Sequence, residues 1–314
     1  MNEAVPPRSA YAQAQYQSML GYDRIYGRLF VFAPILGVAA ALVLAFGGHA
    51  PGALEWGLFA FMYLFTLFGI EVGYHRCFAH KAFQASPVLE CVLAVAGTMA
   101  WSGSLPWWVA THRRHHRFVD GAGDPHTPNR DRSSSGHSLR SFLYGYIGWL
   151  LDPPNKYPIG WQEFSKDLYR NPRIFLIYIN HLKIVLASAV IPAVIGGVVH
   201  WSPWGIVMGL LWGCLLPVFV TQHVFMLINS YGHRFGGAPN SGRAIGSSTN
   251  SWWLALLSMG QGWHNNHHSM PGAATTSQAW WQVDIGAGVI WVLEKLGWAT
   301  DVRWATPRAT EGQY

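Results

Sequence analysis

The chain has 314 residues, of which 51% are hydrophobic and only 11% charged. A soluble domain carries roughly 25% charged residues, so this composition excludes an ordinary soluble enzyme and points to a membrane protein. The net charge of +6 does not argue for nucleic-acid binding, because the basic residues are distributed by membrane topology.

The opening MNEAVPPRSAYAQAQYQSML puts acid, prolines and glutamines where a signal peptide needs an apolar stretch. Residues 1–28 are therefore expected to be a cytosolic lead-in, and residues 29–314 a single domain. A crossing needs about 20 apolar residues, and four windows provide them: about 29–46, 54–73, 174–199 and 204–228. The stretch 88–101 is shorter and Gly-interrupted, which suits an interfacial or re-entrant helix. Residues 283–296, VDIGAGVIWVLEKL, read as an amphipathic surface helix. The spans form two pairs joined by the short turns 47–53 and 200–203, neither of which contains Lys or Arg. All but one of the 21 Lys and Arg lie outside the spans on the opposite side; the exception is Lys183, within the third span. Both termini and the long segments 74–173 and 229–314 are thus expected in the cytoplasm. The predicted fold is an all-α integral membrane protein: four transmembrane helices in two hairpins under a cytosolic helical cap. Cys77, Cys91 and Cys214 are too few for a disulfide framework and read as buried thiols. Cys77 is an additional candidate ligand because it lies within a histidine cluster.

Fifteen histidines stand out, eight of them in three boxes: His75 and His80; His112, His115 and His116; His264, His267 and His268. Positions i, i+3 and i+4 share one helix face, so the second and third boxes each aim three imidazoles one way. The i, i+5 spacing of the first box requires a helix end or a bend. Two crossings separate box two from box three, which returns all eight to one side of the membrane. His233, with Asn229 one turn before it, is a ninth candidate. Nine imidazoles exceed the four to six ligands of one ion and suit two. Neutral imidazole serves Fe, Zn, Cu or Ni, so spacing alone does not choose the metal. His49, His126, His137, His181, His200 and His223 read as structural. His181 and His223 are still notable, since ionisable groups inside spans are costly and often functional. A metal transporter would place its ligands near the bilayer midplane, whereas these cluster outside the spans.

The segments GIEVGYHRCFAH, WVATHRRHHRFVDGAGDPHTP, GHSLRSFLYGYIGWLL, NSYGHRFG and GQGWHNNHHSMPGAA resemble the membrane acyl-CoA Δ9 desaturases, the stearoyl-CoA desaturase family. The resemblance spans roughly residues 69–303. It implies a bacterial-type inner-membrane protein whose cap holds two iron ions on the nine histidines, with Asn229 reaching one metal through water. It implies O2-dependent insertion of a cis double bond into an acyl thioester, acyl-CoA favoured. The alternative is an acyl-ACP or lipid-linked acyl desaturase, acetylenase or hydroxylase using the same site. Electrons must come from a ferredoxin, rubredoxin or cytochrome b5, since the chain has no flavin, haem or NAD motif. The resemblance also implies a substrate tunnel at Tyr63, Leu67, Trp108 and Trp263, although Tyr63 and Leu67 equally suit lipid-facing packing. It implies a head-group surface at Arg113, Arg114 and Arg117, with Arg130, Arg132 and Arg140 nearby.

Three departures from the family pattern stand out. Gln261 replaces the usual Glu before box three. Glu71 stands where a small residue is common, one turn before His75; it can orient His75, compensate for Gln261 or bind metal directly. Asp152-Pro-Pro-Asn-Lys156 replaces a basic pair that holds CoA phosphates, which brings acyl carrier protein or lipid forward as the carrier. A basic cap also attracts an acidic carrier protein.

Overall fold

The computed structural model describes residues 10–129, 138–158, 160–244 and 246–305. Arg130, Arg132 and His137 lie outside these.

Four helices are long and apolar enough to cross a membrane: Asp23–Phe46, Ala53–Ala79, His181–His200 and Pro203–His233. The first is the outer part of one continuous helix, Ala10–Phe46, so helix extends well into the expected lead-in. The third is shorter than its apolar window. Asn180 breaks that window into Pro172–Ile179 and His181–His200, and its side-chain amide donates to the Leu176 carbonyl at 2.9 Å. Asn competes with the helix ladder for backbone partners in this way.

Small residues let the third and fourth spans approach. A Cβ on Gly196 would lie 2.2 Å from the Gly205 carbonyl, the close packing that glycine permits between membrane helices. The turns far from the cap are tied together, since the Glu55 carboxylate accepts from Gly52 N at 2.9 Å and from His200 at 2.7 Å.

The second span widens into structure of a different pitch. Ala53–Phe68 is α-helical and Gly69–Ala79 is π-helical. The helix Pro87–Met99 lies against this π segment. At 13 residues it is too short to cross. Contact is so close that a Cβ on Gly69 would lie 2.1 Å from Gly97 N.

The cap is built of short helices. Leu105–Phe118 carries box two, His264–Ser269 carries box three, and Ile285–Lys295 packs on the π segment. The last is the expected surface helix: Ile290 and Leu293 are buried, while Trp291 and Val292 are exposed. A two-residue ladder, Gln84–Ala85 with Ala299–Thr300, joins the segment after the second span to the strand that follows Ile285–Lys295.

Candidate metal centre

Each box has its own local reason to fold. Box one lies in the π-helix. There the His80 amide bonds to the His75 carbonyl at 3.0 Å, an i→i+5 bond. That pitch brings His75 and His80 to a ring separation of 4.7 Å, so an i, i+5 pair that an α-helix would splay converges. Box two occupies the last turns of its helix, after which Asp120 takes a left-handed φ of 57° and returns the chain towards it. Asp adopts this conformation more readily than most residues.

Box three is a six-residue helix, far below the length that is stable alone. Its own asparagines and a neighbour hold it. Asn250 Oδ1 accepts from the Asn265 and Asn266 amides at 2.9 and 3.2 Å. Asn266 donates to the Thr276 carbonyl and to Gln282, both at 2.9 Å, and Asn265 donates to the Ser248 carbonyl at 3.0 Å.

The imidazoles meet in two clusters, His75, His80, His112 and His267, and His115, His233, His264 and His268. His116 lies between them. Its Nε2 is 2.9 Å from that of His267, and its ring stacks on His268 at 4.6 Å. The structure thus brings together all nine predicted histidines. Asn229 lines the adjoining cavity with His264. Cys77 packs in the hydrophobic core and joins neither cluster.

Carboxylates hold the outward nitrogens of three imidazoles. His75 Nδ1 lies 3.1 Å from Glu71, His115 Nδ1 3.0 Å from Asp124, and His233 Nδ1 3.4 Å from Asp120. Burial would raise Asp120, but hydrogen bonds from His233 and Ser247 keep its carboxyl well below the usual range. Asp124 is likewise lowered against its burial by the adjacent His115. An Nδ1–H donated outward leaves Nε2 as a bare lone pair facing inward, the second-shell arrangement of metal-bound histidine. Across the two clusters the inward-facing Nε2 atoms lie close together: 2.7 Å for His80–His112, 3.0 Å for His233–His264 and 3.1 Å for His264–His268. Lone pairs at such distances repel unless cations lie among them. Burial, reinforced by neighbouring imidazoles, holds His80, His112, His116, His264, His267 and His268 well below the ordinary histidine pKa. Neutral imidazoles are the form that binds metal, so the donor set fits metal ions.

Glu71 enters neither cluster. Its second oxygen meets Arg76, 2.8 Å from Nε. Arg76 is 1% exposed and forks onto Asp284 at 2.8 and 3.2 Å. The Gln261 side-chain amide bridges Glu71 and His75, with one end 3.2 and 3.3 Å from the Glu71 oxygens and the other 3.2 Å from His75 Nε2. Glu71 and Gln261 therefore form one unit around His75. Glu71→Gln is expected to weaken metal binding about 10- to 100-fold, the usual cost of losing an outer partner, as read by metal titration of the purified chain.

Beside the clusters lies a cavity of ≈ 890 Å³, within the range of small-molecule sites. Trp108 lines it and stacks on His112 at 5.1 Å. Tyr63, Leu67 and Trp263 do not line it. Tyr63 donates to the Leu257 carbonyl at 2.6 Å, Leu67 is 2% exposed, and Trp263 donates to the Val283 carbonyl at 2.8 Å.

The guanidiniums expected at the head group mostly turn inward. Arg113 binds Asp167 and the Ala79, Phe78 and Phe164 carbonyls, clamping the end of the π-helix. Arg114 binds the Gly123 carbonyl and Asn155. Arg117 and Arg140 are exposed. Lys156 is buried against Asp23 at 2.8 Å.

Among the histidines read as structural, His223 bonds Tyr146, His200 bonds Glu55, and His49 packs on Trp204. His126 is closer to the chemistry than its sequence suggested. It lines the cavity with its ring 4.4 Å from His115. Asp120, Asp124 and His126 share the segment VDGAGDPH, and their spacing just after box two was the available signal.

Residues 52–285 match the fatty acid desaturase family. The chain belongs to that family. It is 36% identical over 310 residues to a hex-5-enoyl-[acyl-carrier protein] acetylenase of Moorena producens (strain JHB), covering 96% of this chain and 95% of that one. It is 33% identical over 252 residues to an acyl-CoA C20 Delta5-desaturase of Anemone leveillei, 79% and 73% covered. An sn-1 stearoyl-lipid 9-desaturase of Synechocystis sp. (strain ATCC 27184 / PCC 6803 / Kazusa) is 32% identical over 280 residues, 88% and 79% covered. The desaturase is therefore an oxidoreductase that acts on fatty acyl chains at a histidine-rich metal site.

Proposed function

We propose that the desaturase holds two iron ions on the nine histidines and uses O2 and an external electron donor to dehydrogenate an acyl thioester. The observation that carries this reading is the pair of imidazole clusters opening on one cavity. His75, His80, His112, His116 and His267 would hold one ion. His115, His233, His264 and His268 would hold the other, with Asn229 positioned to retain a water on it. Iron held there would activate O2, the oxidant, for removal of two hydrogens from the acyl chain, with two electrons from the donor completing reduction of O2 to water. The chain's part is to hold the metals by carboxylate-oriented imidazoles, to place the methylene beside them and to keep water out. Both termini and the cap are proposed to face the cytoplasm of a bacterial inner membrane, since the turns away from the cap lack Lys and Arg.

Beyond the metals the path is closed. Thr66 and Thr221 bond at 3.0 Å between the second and fourth spans, Tyr63 is bonded to Leu257, and Leu67 is buried two turns before His75. Tyr63 and Leu67 are proposed as the block behind the reacting carbons. Such a block puts those carbons near the methyl end of the chain and favours a second reading, conversion of a carrier-bound alkenoyl chain to an alkyne. Leu67→Ala is expected to admit acyl chains about two carbons longer, because it frees the volume of a few methylenes. Chain-length competition with acyl-CoA and acyl-ACP substrates, scored by product mass spectrometry, measures this. An unchanged preference removes Leu67 from the tunnel, and the carrier turned over fastest identifies the thioester.

A further inference from the structure

The cavity is walled mainly by buried or half-buried side chains, but four of its lining residues are exposed: Tyr26, Ile179, Leu182 and Lys183. Their exposure is 43% for Tyr26, 58% for Ile179 and 55% for Leu182. These residues mark where the cavity opens. Tyr26 belongs to the first spanning helix and Leu182 and Lys183 to the third. Ile179 ends the helix that stops at the Asn180 break.

The first and third spans each pack on the fourth, and neither makes a comparable interface with the other. Gln222 of the fourth span donates to the Phe30 carbonyl of the first at 3.3 Å and to the Trp101 carbonyl at 3.0 Å, closing the back of the cavity. At the front, Phe30 and His181 meet only edge to face, with ring centroids 6.4 Å apart. His181 Nδ1 is buried with no hydrogen-bond partner. The rim thus combines apolar Ile179 and Leu182 with the Tyr26 phenol and, among the lining residues, one exposed cation, Lys183. It lies at the cap-side ends of two helices apolar enough to sit in lipid. Arg113 and Arg114, expected at a head group, are bonded to carbonyls, and Lys156, Trp107 and Trp149 are buried.

We propose that this gap is a lipid-facing door. The hydrocarbon tail of a single-chain amphiphile resident in the cap-side leaflet slides through it into the cavity, while the polar head stays at the interface near Lys183. A tail coming from lipid is already in apolar surroundings and moves sideways with little change in solvation. Long cationic side chains at such depth reach back to the interface, which suits Lys183 to an anionic head.

This inference rests on the reading of the cavity as an acyl site, but not on the chemistry performed there. The full chain is reconstituted in phosphatidylcholine nanodiscs containing a diazirine-bearing palmitic acid, irradiated, and digested for peptide mapping. Adducts are expected on Phe30, Trp101 or Tyr178, inside the door. Leu182→Trp, at an exposed position that tolerates bulk, is expected to lower them about tenfold, equivalent to about 1.4 kcal/mol of lost access. Adducts confined to outer residues such as Leu186 and Val190, or cavity adducts indifferent to Leu182→Trp, overturn the door. Product formation from a soluble acyl thioester is scored in the same preparation. Failure of the door with turnover intact is thereby distinguished from failure of the desaturase reading.

Discussion

Replacing His267 with alanine is expected to abolish desaturation and to lower bound metal from about two ions per chain to about one. His267 is the box-three member of the cluster completed by His75, His80 and His112. Its Nε2 lies 3.2 Å from that of His75 and 2.9 Å from that of His116. Among the described residues no carboxylate or thiol stands ready to replace it, because Glu71 and Cys77 belong to neither cluster. The loss in rate is expected to be at least about 10³-fold, or about 4 kcal/mol of transition-state stabilisation. Metal analysis of the purified variant beside its turnover separates ligand loss from simple instability. The cluster of His115, His233, His264 and His268 should keep its ion, since Asp120 and Asp124 still orient two of its members. A variant that retained both ions would show that His267 is not a ligand.

Arg76→Leu is expected to destabilise the fold by about 3–5 kcal/mol, the usual consequence of removing one partner from a buried charge network. Arg76 neutralises both Glu71 and Asp284, and all three are almost fully buried. Asp284 also accepts from the Ala287 and Thr276 amides. One guanidinium therefore ties the π-helix of box one to the start of the Ile285–Lys295 helix. Without it, two carboxylates are left in a low-dielectric interior, one of them against His75. Thermal unfolding in detergent measures the change. A shift no larger than that of an exposed substitution would mean that the network does not hold the cap to the second span.

Much of this architecture is visible in the sequence, for identifiable reasons. Spanning helices advertise themselves by length and apolarity, and box two and box three by a spacing that any α-helix converts into one face. The i, i+5 spacing of His75 and His80 was legible as a problem. Its solution is a π-helix, which arises from packing against Pro87–Met99 and has no sequence signature of its own. Arg113 and Arg114 look like a basic surface in one dimension. In three dimensions, each faces carbonyls left unpaired at helix ends, and satisfying those groups outweighs remaining in solvent. The break at Asn180 lies within a window whose average stays apolar, so hydropathy does not register it. Asp120, Asp124 and Asp284 are separated from their partners by up to 208 residues or by an irregular turn, so only the fold reveals their roles. Glu71 and Gln261 were each conspicuous alone. Their contact around His75 is what turns two anomalies into one arrangement.

The most direct test supplies the iron-loaded enzyme with a reductant, O2 and an acyl thioester, and weighs the acyl chain afterwards. The account predicts loss of two hydrogens per turnover, with no oxygen gained. An acyl chain of unchanged mass, recovered from enzyme that carries about two metal ions and consumes O2, would contradict it.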